Sequence, residues 1–480
     1  MKKTLQILAM LAIIGLSNAY AQNYPLYWST GIIQGSIYVR GNPVVVGQIT
    51  ITTPVAGTVL VHFDGQCTAT MGDRIVLAAS NTANWLGNDG CVAVYDSTGS
   101  FSHSRSYSVN AGSNTFYAVA ENYVNMLGTG YASIYGNLSV EFFASGSSTF
   151  VSQTGIVQYN INVRGNPVTV GQITINAPSA GNVLVRFDGL CYPSNGDRIV
   201  LAASNIANWG VNDGCTSVLN NTACFSHTRY YAVTAGNNTF YAVAQNYGTT
   251  NGTGLAGFYG SLTAEFFPTG DNDFVAFTGI SQSYINVRVS PPYNLGQLTI
   301  NAPTIGKVLV TFDGHCTASH GDKITLAASN IQDWGVNDGN VSVSNTEENF
   351  SHTRTYDVAA GSHTYYAVAQ NYVLTGGTGI ASIYGSLHVK FTPNTLTAIE
   401  DITDNSVNVY PNPASDNFTL QLPPDLTTAT LQIFNTLGEL IYEKAIDQTS
   451  TLIQLNKAAG IYFVKVKDGD KVFMEKLILE

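Results

Sequence analysis

Apolar residues in this chain recur with a period of two. In "GQITITTP" Ile49 and Ile51 alternate with threonine, and in "GTVLVHFDG" Val59, Val61 and Phe63 share one face. Short runs of this kind, punctuated by Gly, Asn, Asp and Pro, return about every ten residues and predict antiparallel strands with one buried face. No segment joins helical spacing to capping residues, so helices are not expected. The predicted fold class is all-β.

The pattern is written three times. "VHFDGQC" from Val61, "VRFDGLC" from Val185 and "VTFDGHC" from Val310 are separated by 124 and then 125 residues. "FSHSRSYSV" from Phe101, "FSHTRYYAV" from Phe225 and "FSHTRTYDV" from Phe350 keep those intervals, as do three "AASN" segments that each carry a tryptophan. The extra residue falls between Ile285 and Gln297, in a Pro-rich stretch that reads as a loop. Units of about 120 residues exceed solenoid periods and match whole domains. The expectation is three tandem antiparallel β-sandwich repeats, jelly-roll-like and of about eight strands each. Their bounds are 22–147, 148–271 and 272–394, followed by a linker at 395–406 and a further module at 407–480.

The closing strands of each unit, "GSNTFYAVAENY" and then "GYASIYGNLSVEFF", resemble the end of a C1q/TNF-like jelly roll. That family finishes on a Gly-then-aromatic strand and a last strand ending in aromatics or Pro, as "YGSLTAEFFP" does here. The resemblance covers about the last third of each copy. It implies jelly-roll sandwiches and, as one arrangement, packing around a pseudo-threefold axis. The 11 residues between Phe143 and Gly155, and between Phe267 and Gly279, reach at most ~36–40 Å, enough to join neighbours in a ring. A linear string of independent domains is the arrangement expected first.

The two ends carry addresses. Lys2 and Lys3, the apolar run Leu5–Leu16 and Ala19-Tyr20-Ala21 make residues 1–21 a signal peptide, too short for a membrane span. From Val407 onward the chain closely resembles the type A C-terminal sorting domain of the Bacteroidetes type IX secretion system. Tyr410-Pro411-Asn412-Pro413, "IFNTLGELI" around Gly438, Gly460-Ile461-Tyr462 before Val464 and Val466, and Lys476 near the end carry that match. It implies a small Ig-like β-sandwich read by the outer-membrane translocon, then removed. The cargo is in that case released or linked to surface lipopolysaccharide. An extracellular or outer-membrane-surface location follows, without a transmembrane anchor.

Composition narrows the function. Charged residues are 11% of the chain and the formal net charge is −11, so the basic stripe that a phosphate backbone needs is missing and nucleic acid is not an expected partner. A hydrophobic fraction of 45% is enough for packed cores.

Four sets of residues could carry chemistry. Cys67 and Cys91, and Cys191 and Cys215, lie 24 residues apart in an oxidising compartment and are expected to form two disulfides. Cys316 faces Asn340 in the third copy, and Cys224 is unique to the second. Alternation puts His103 and Arg105 on one face with Phe101 and Tyr107, and serines on the other. With His227, Arg229, His352 and Arg354 they read as structural clusters, Arg105 pairing with Asp64, Asp73 or Asp89. Trp85 and Asp89, Trp209 and Asp213, and Trp334 and Asp338 suit sugar stacking or protein contact, or else a Trp plug over the sandwich edge with an Asx-turn. Asp and Asn near these turns could hold Ca²⁺, though without EF-hand-like spacing; no other cofactor is expected. "GTGLAG" at Gly252–Gly257 leads into a strand, and neither G-x-S-x-G nor H-E-x-x-H occurs.

Repetition without a catalytic signature points to multivalency. The function expected is a secreted or cell-surface, non-catalytic binding or adhesion protein with a glycan or cell-surface protein ligand. A structural surface-layer or matrix component and a secreted polysaccharide-active hydrolase are the alternatives.

Overall fold

A computed structural model describes residues 26–85, 91–122, 127–208, 215–246, 251–333, 340–344, 347–371, 376–393, 407–422, 429–436, 438–468 and 471–480. Two compact units divide the chain, one spanning Asn23–Asn394 and one that takes in Thr395–Glu480. Both are built of antiparallel strands, and among the described residues no helix is long and apolar enough to cross a membrane.

The first sandwich contains β1 (Leu26–Tyr38), β2 (Val44–Thr53), β3 (Gly57–Ala69), β4 (Arg74–Ser80), β5 (Val92–Tyr95), β6 (Thr98–Val109), β7 (Gly112–Asn122) and β8 (Tyr131–Ala144). One sheet runs β1-β8-β3-β6 and the other β2-β7-β4-β5, the interleaving of a jelly roll. The same eight strands in the same two orders return over Phe150–Pro268 and Phe274–Pro393. In each sandwich the apolar face predicted by alternation fills the core: Val59, Val61, Phe63 and Cys67 on β3 are all fully buried, with Phe101 edge-on to Phe63 at 4.6 Å. The "FDG" turn-like triplet lies inside β3. Gly65 faces Gly136 of β8, and a Cβ on Gly136 would sit 2.1 Å from the Asp64 carbonyl oxygen, so only paired glycines let these strands approach.

The three sandwiches form a closed ring, which overturns the string. Asp188 of the second accepts hydrogen bonds from Ser102 and Ser104 of the first at 3.3 and 2.6 Å. Asp313 of the third accepts from Ser226 and Thr228 of the second at 3.0 and 2.5 Å, and Asp64 of the first accepts from Ser351 of the third at 3.1 Å. One contact is made three times, from first to second to third and back to first. The serine face of β6, opposite His103 and Arg105, is therefore buried against the next sandwich.

Equivalent positions meet on the axis with unlike residues. Glu141, Glu265 and Lys390 occupy one such position, and the Lys390 ammonium bonds Glu141 and Glu265, the latter at 2.6 Å. One level on, Arg186 donates to His62 at 3.1 Å and to His388 at 3.2 Å. Three identical acids or three identical bases would repel here; one chain of three different copies can place a cation between two carboxylates.

The C-terminal unit is a separate sandwich. A three-stranded sheet (Asn408–Tyr410, Asn417–Gln421, Ser450–Gln454) packs Phe418, Leu420 and Ile453 against Leu431, Ile433, Val464 and Val466 of a four-stranded sheet. That second sheet runs Leu440–Ile446, Ala429–Asn435, Gly460–Asp468, Lys471–Leu479 in spatial order. Asn412 of the Pro-Asn-Pro segment accepts from Ile478 N–H at 2.8 Å and donates to the Lys476 carbonyl, so the motif clips the last strand.

Candidate binding grooves between the sandwiches

The β6 motif has two outlets. Its inward histidine joins the two sheets of a sandwich. Strand β4 pairs with β5 only over Arg74–Leu77, which leaves Ala79 beyond the end of the edge partner. His103 Nδ1 accepts the Ala79 N–H at 3.0 Å and the Tyr107 hydroxyl donates to the Ala79 carbonyl at 3.1 Å. The ring proton of the neutral imidazole is thereby placed on Nε2. His227 and Tyr231 serve Ala203 in the same way, and His352 serves Ala328 at 2.9 Å. Two side chains stand in for the missing strand.

The arginines two residues on reach the seams of the ring. Between the second and third sandwiches a cavity of about 450 Å³ is lined by Cys215, Thr228 and Arg229 on one wall and by Gly279, Asp313 and Tyr384 on the other. Between the third and first, one of about 310 Å³ is lined by Asn340, Thr353 and Arg354 against Gly31, Asp64 and Tyr135, position for position the same set. At the remaining seam Arg105 lies against Gly155, 3.8 Å from where a Cβ would stand, whereas a Cβ on Gly31 or Gly279 would meet nothing within 4 Å. Tyr135 is 43% exposed, and its counterpart Tyr259 packs edge-on with Tyr159 at 5.0 Å and Tyr192 at 5.5 Å. The two open seams thus each join an arginine, a tyrosine face and an open glycine backbone, groups that can stack on and hydrogen-bond a polar polymer.

Other expected residues fall elsewhere. Trp85 packs half-buried on the first core with its indole N–H donated to Glu121, the plug arrangement. Trp209, Trp334, Asp89, Asp213 and Asp338 lie outside the described residues, and with them the Asp-bearing turns considered for Ca²⁺. Among the described residues no group of three or more His, Cys, Asp or Glu is placed to hold a metal.

The arginine that meets Asp73 is Arg40, at 3.1 Å; Asn122 and Gly130 N–H complete the site at 2.5 and 2.8 Å. Arg164 with Asp197 and Arg288 with Asp322 repeat it. Sequence reasoning missed this pair although the arginines of "VRG", "VRG" and "VRV" stand 33, 33 and 34 residues before the aspartates.

The disulfides Cys67–Cys91 and Cys191–Cys215 are not formed; all six cysteines are free. Cys67 belongs to β3 and Cys91 leads into β5 at the edge of the opposite sheet. Cys67, Cys191 and Cys316 are equivalent, each fully buried in its own core as a small apolar side chain, and burial pushes all three thiols up. Cys224 donates to the Ala93 carbonyl of the first sandwich at 3.4 Å, and burial raises its thiol to about 12.

At one end of the axis Asp96–Gly99, Asn221–Ala223 and Glu347–Asn349 line a vestibule of about 530 Å³, with Glu347 and Glu348 on its wall. Burial alone would raise Glu347, but His315 at 2.8 Å, Ser217 and Arg198 at 2.8 Å hold it down to about 2. Burial pushes neighbouring Glu348 up to about 7. The signal for this cluster is that only the third copy has acids where the others have Thr98-Gly99 and Thr222-Ala223.

Comparison with known proteins adds three findings. Residues 408–480 match the model of the secretion system C-terminal sorting domain. A stretch of 89 residues is 37% identical to Ulvan lyase NLR42 of Nonlabens ulvanivorans, covering 18% of this chain and 16% of the lyase, so the chain spans about a sixth of that relative's length. Among solved structures, a Ruminococcus gnavus β-glucuronidase overlaps 44% of this chain and 46% of its own at 11% identity and a TM-score of 0.13. The STIV MCP overlaps 52% of this chain and 99% of its own at 10% identity and a TM-score of 0.21.

Proposed function

We propose that this chain, which residues 408–480 mark as type IX cargo exported to the cell surface or extracellular space, carries a multivalent, non-catalytic binding module in its three-sandwich body. The observation behind this reading is the groove at two seams of the closed ring, built from the same positions both times. A weak site repeated on one rigid body gains avidity of about 10²–10⁴ from effective concentration alone. Tyrosine faces beside arginine and open backbone suit saccharides, which makes extracellular polysaccharide the first class to test.

The test is binding of the body, residues 22–393, to a panel of neutral and anionic polysaccharides, with product release followed in parallel. Binding without turnover is expected. Tyr384→Ala at one open seam should weaken it a few-fold, and Tyr135→Ala and Tyr384→Ala together by about 10²-fold or more. Product release would replace this reading with the hydrolase one. Regular self-assembly without any ligand would replace it with the surface-layer one.

A further inference from the structure

The C-terminal sandwich has two unlike outer faces. On its three-stranded sheet the outward positions Asn417, Thr419, Gln421, Ser450 and Gln454 are polar, with Leu452 and Tyr410 as exceptions. On the four-stranded sheet, register puts Leu440, Phe434, Phe463 and Lys476 in one row across all four strands. The next row is Glu443, Gln432, Lys465 and Met474, and Ile461 with Ile478 lies on the other side. Leu440, Ile461, Phe463 and Met474 are all at least 39% exposed. The opposite side of this sheet is already filled by the sandwich core, where Leu431, Ile433, Val464 and Val466 are buried.

A half-exposed antiparallel sheet ordinarily alternates apolar-in and polar-out. Here the outward positions of Gly460–Asp468 are Ile461, Phe463, Lys465 and Lys467, apolar and basic, with Gln432 and Glu443 as the polar neighbours. Such a face costs solubility unless something covers it. Lys465 and Lys476 stand in the two rows with Glu443 as their acid, and Lys467 adds a third ammonium in the row beyond, so the local charge is positive although the chain as a whole carries −11. We infer that the outer face of the Leu440–Ile446, Ala429–Asn435, Gly460–Asp468, Lys471–Leu479 sheet, centred on Phe463 and Lys465, is the docking surface of the sorting domain. Its occupant is a component of the export machinery that presents an apolar patch rimmed by carboxylates. Phe463 and Phe434 seat in the patch and supply most of the affinity, as aromatic anchors do. The lysines meet the rim and set partner choice and encounter rate.

The experiment uses the full chain expressed in its own secreting bacterium, with protein quantified in the medium, at the surface and in the periplasm. Phe463→Ser and Lys465→Glu are the test variants. Leu452→Ser, which changes an apolar residue 68% exposed on the opposite sheet, is the control. Each purified full-length chain is compared with the parent for protease resistance, which separates lost docking from lost folding. Expected are a fall in export of roughly tenfold or more for both test variants, periplasmic accumulation of folded precursor, and parental export for Leu452→Ser. Unchanged export of folded Phe463→Ser overturns the assignment, as does an equal loss from Leu452→Ser. A loss for Phe463→Ser that coincides with a change from dimer to monomer in the purified chain would assign the face to a second copy instead, and so also overturns it.

Discussion

Lys390 and Glu141 set the terms on which the ring closes. Burial pushes Glu141 up to about 8 from an ordinary 4.5, with Lys390 opposing and Glu265 adding to it. Burial would lower Lys390, but Glu141 and Glu265 hold it above its usual value, while burial, Arg186 and Lys390 keep His388 far below its own. A raised carboxyl binds its proton more tightly in the folded body, so its contribution is complete below pH 4.5 and is lost as pH rises through about 8. Asp273 and Glu348, both raised to about 7 chiefly by burial, act in the same sense. His388, depressed, acts in the opposite sense below its ordinary 6.5, so the thermal midpoint of the body should fall chiefly between pH 6.5 and pH 9. Glu141→Gln should flatten that fall and leave the variant above the parent at pH 9. Calorimetry at three pH values checks this, and a slope equal to the parent's would remove Glu141 from the account.

Strands in this protein are finished by side chains. Where β5 stops short, His103 and Tyr107 supply the acceptor and the donor that Ala79 lacks, and β6 does double duty as edge strand and inter-sheet tie. Removing one partner leaves a fully buried amide unsatisfied, which costs about 1–3 kcal/mol. His103→Ala should lower unfolding free energy by that amount in denaturant titrations and speed hydrogen exchange at the Ala79 amide. His227→Ala and His352→Ala should do the same for Ala203 and Ala328, since the geometry repeats within 0.1 Å for the histidine contact. Exchange at Ala79 unaltered in His103→Ala would mean that water or backbone takes the bond instead.

At the scale of the molecule, fusion of three sandwiches into one chain makes an asymmetric axis available. The cyclic Ser–Asp contacts alone would serve three identical subunits; the Glu141–Lys390–Glu265 and His62–Arg186–His388 sets would not. A body of this kind is one particle, not three beads. Its radius of gyration in solution should be about 21 Å by the scaling for compact chains of this length, against about 30 Å for a string. Small-angle scattering on residues 22–393 distinguishes the two, and a value near the larger figure would refute the ring.

Alternation of apolar and polar positions was enough to make the chain all-β, and the spacing of "FDG", "FSH" and "YAVA" was enough to count the copies. Tyr410-Pro411-Asn412-Pro413, Gly460-Ile461-Tyr462 and their neighbours identified the sorting domain, because short-range motifs survive in sequence as they stand. Tertiary structure decided the rest. Period two reports which face of β6 is apolar and is silent on what covers the serines, since Ser102 and Ser104 are stabilised by Asp188 from another sandwich, 84 residues or more away. Arg40 and Asp73 could not be matched until strand order put them at one end of the sandwich. Lys390 in the sequence is one lysine in a strand; only the threefold axis, which superposes Glu141 and Glu265 on the same position, makes it the counter-ion at the centre of the molecule. Polar contacts between distant segments depend on where the chain returns, and hydropathy along the chain carries no record of that.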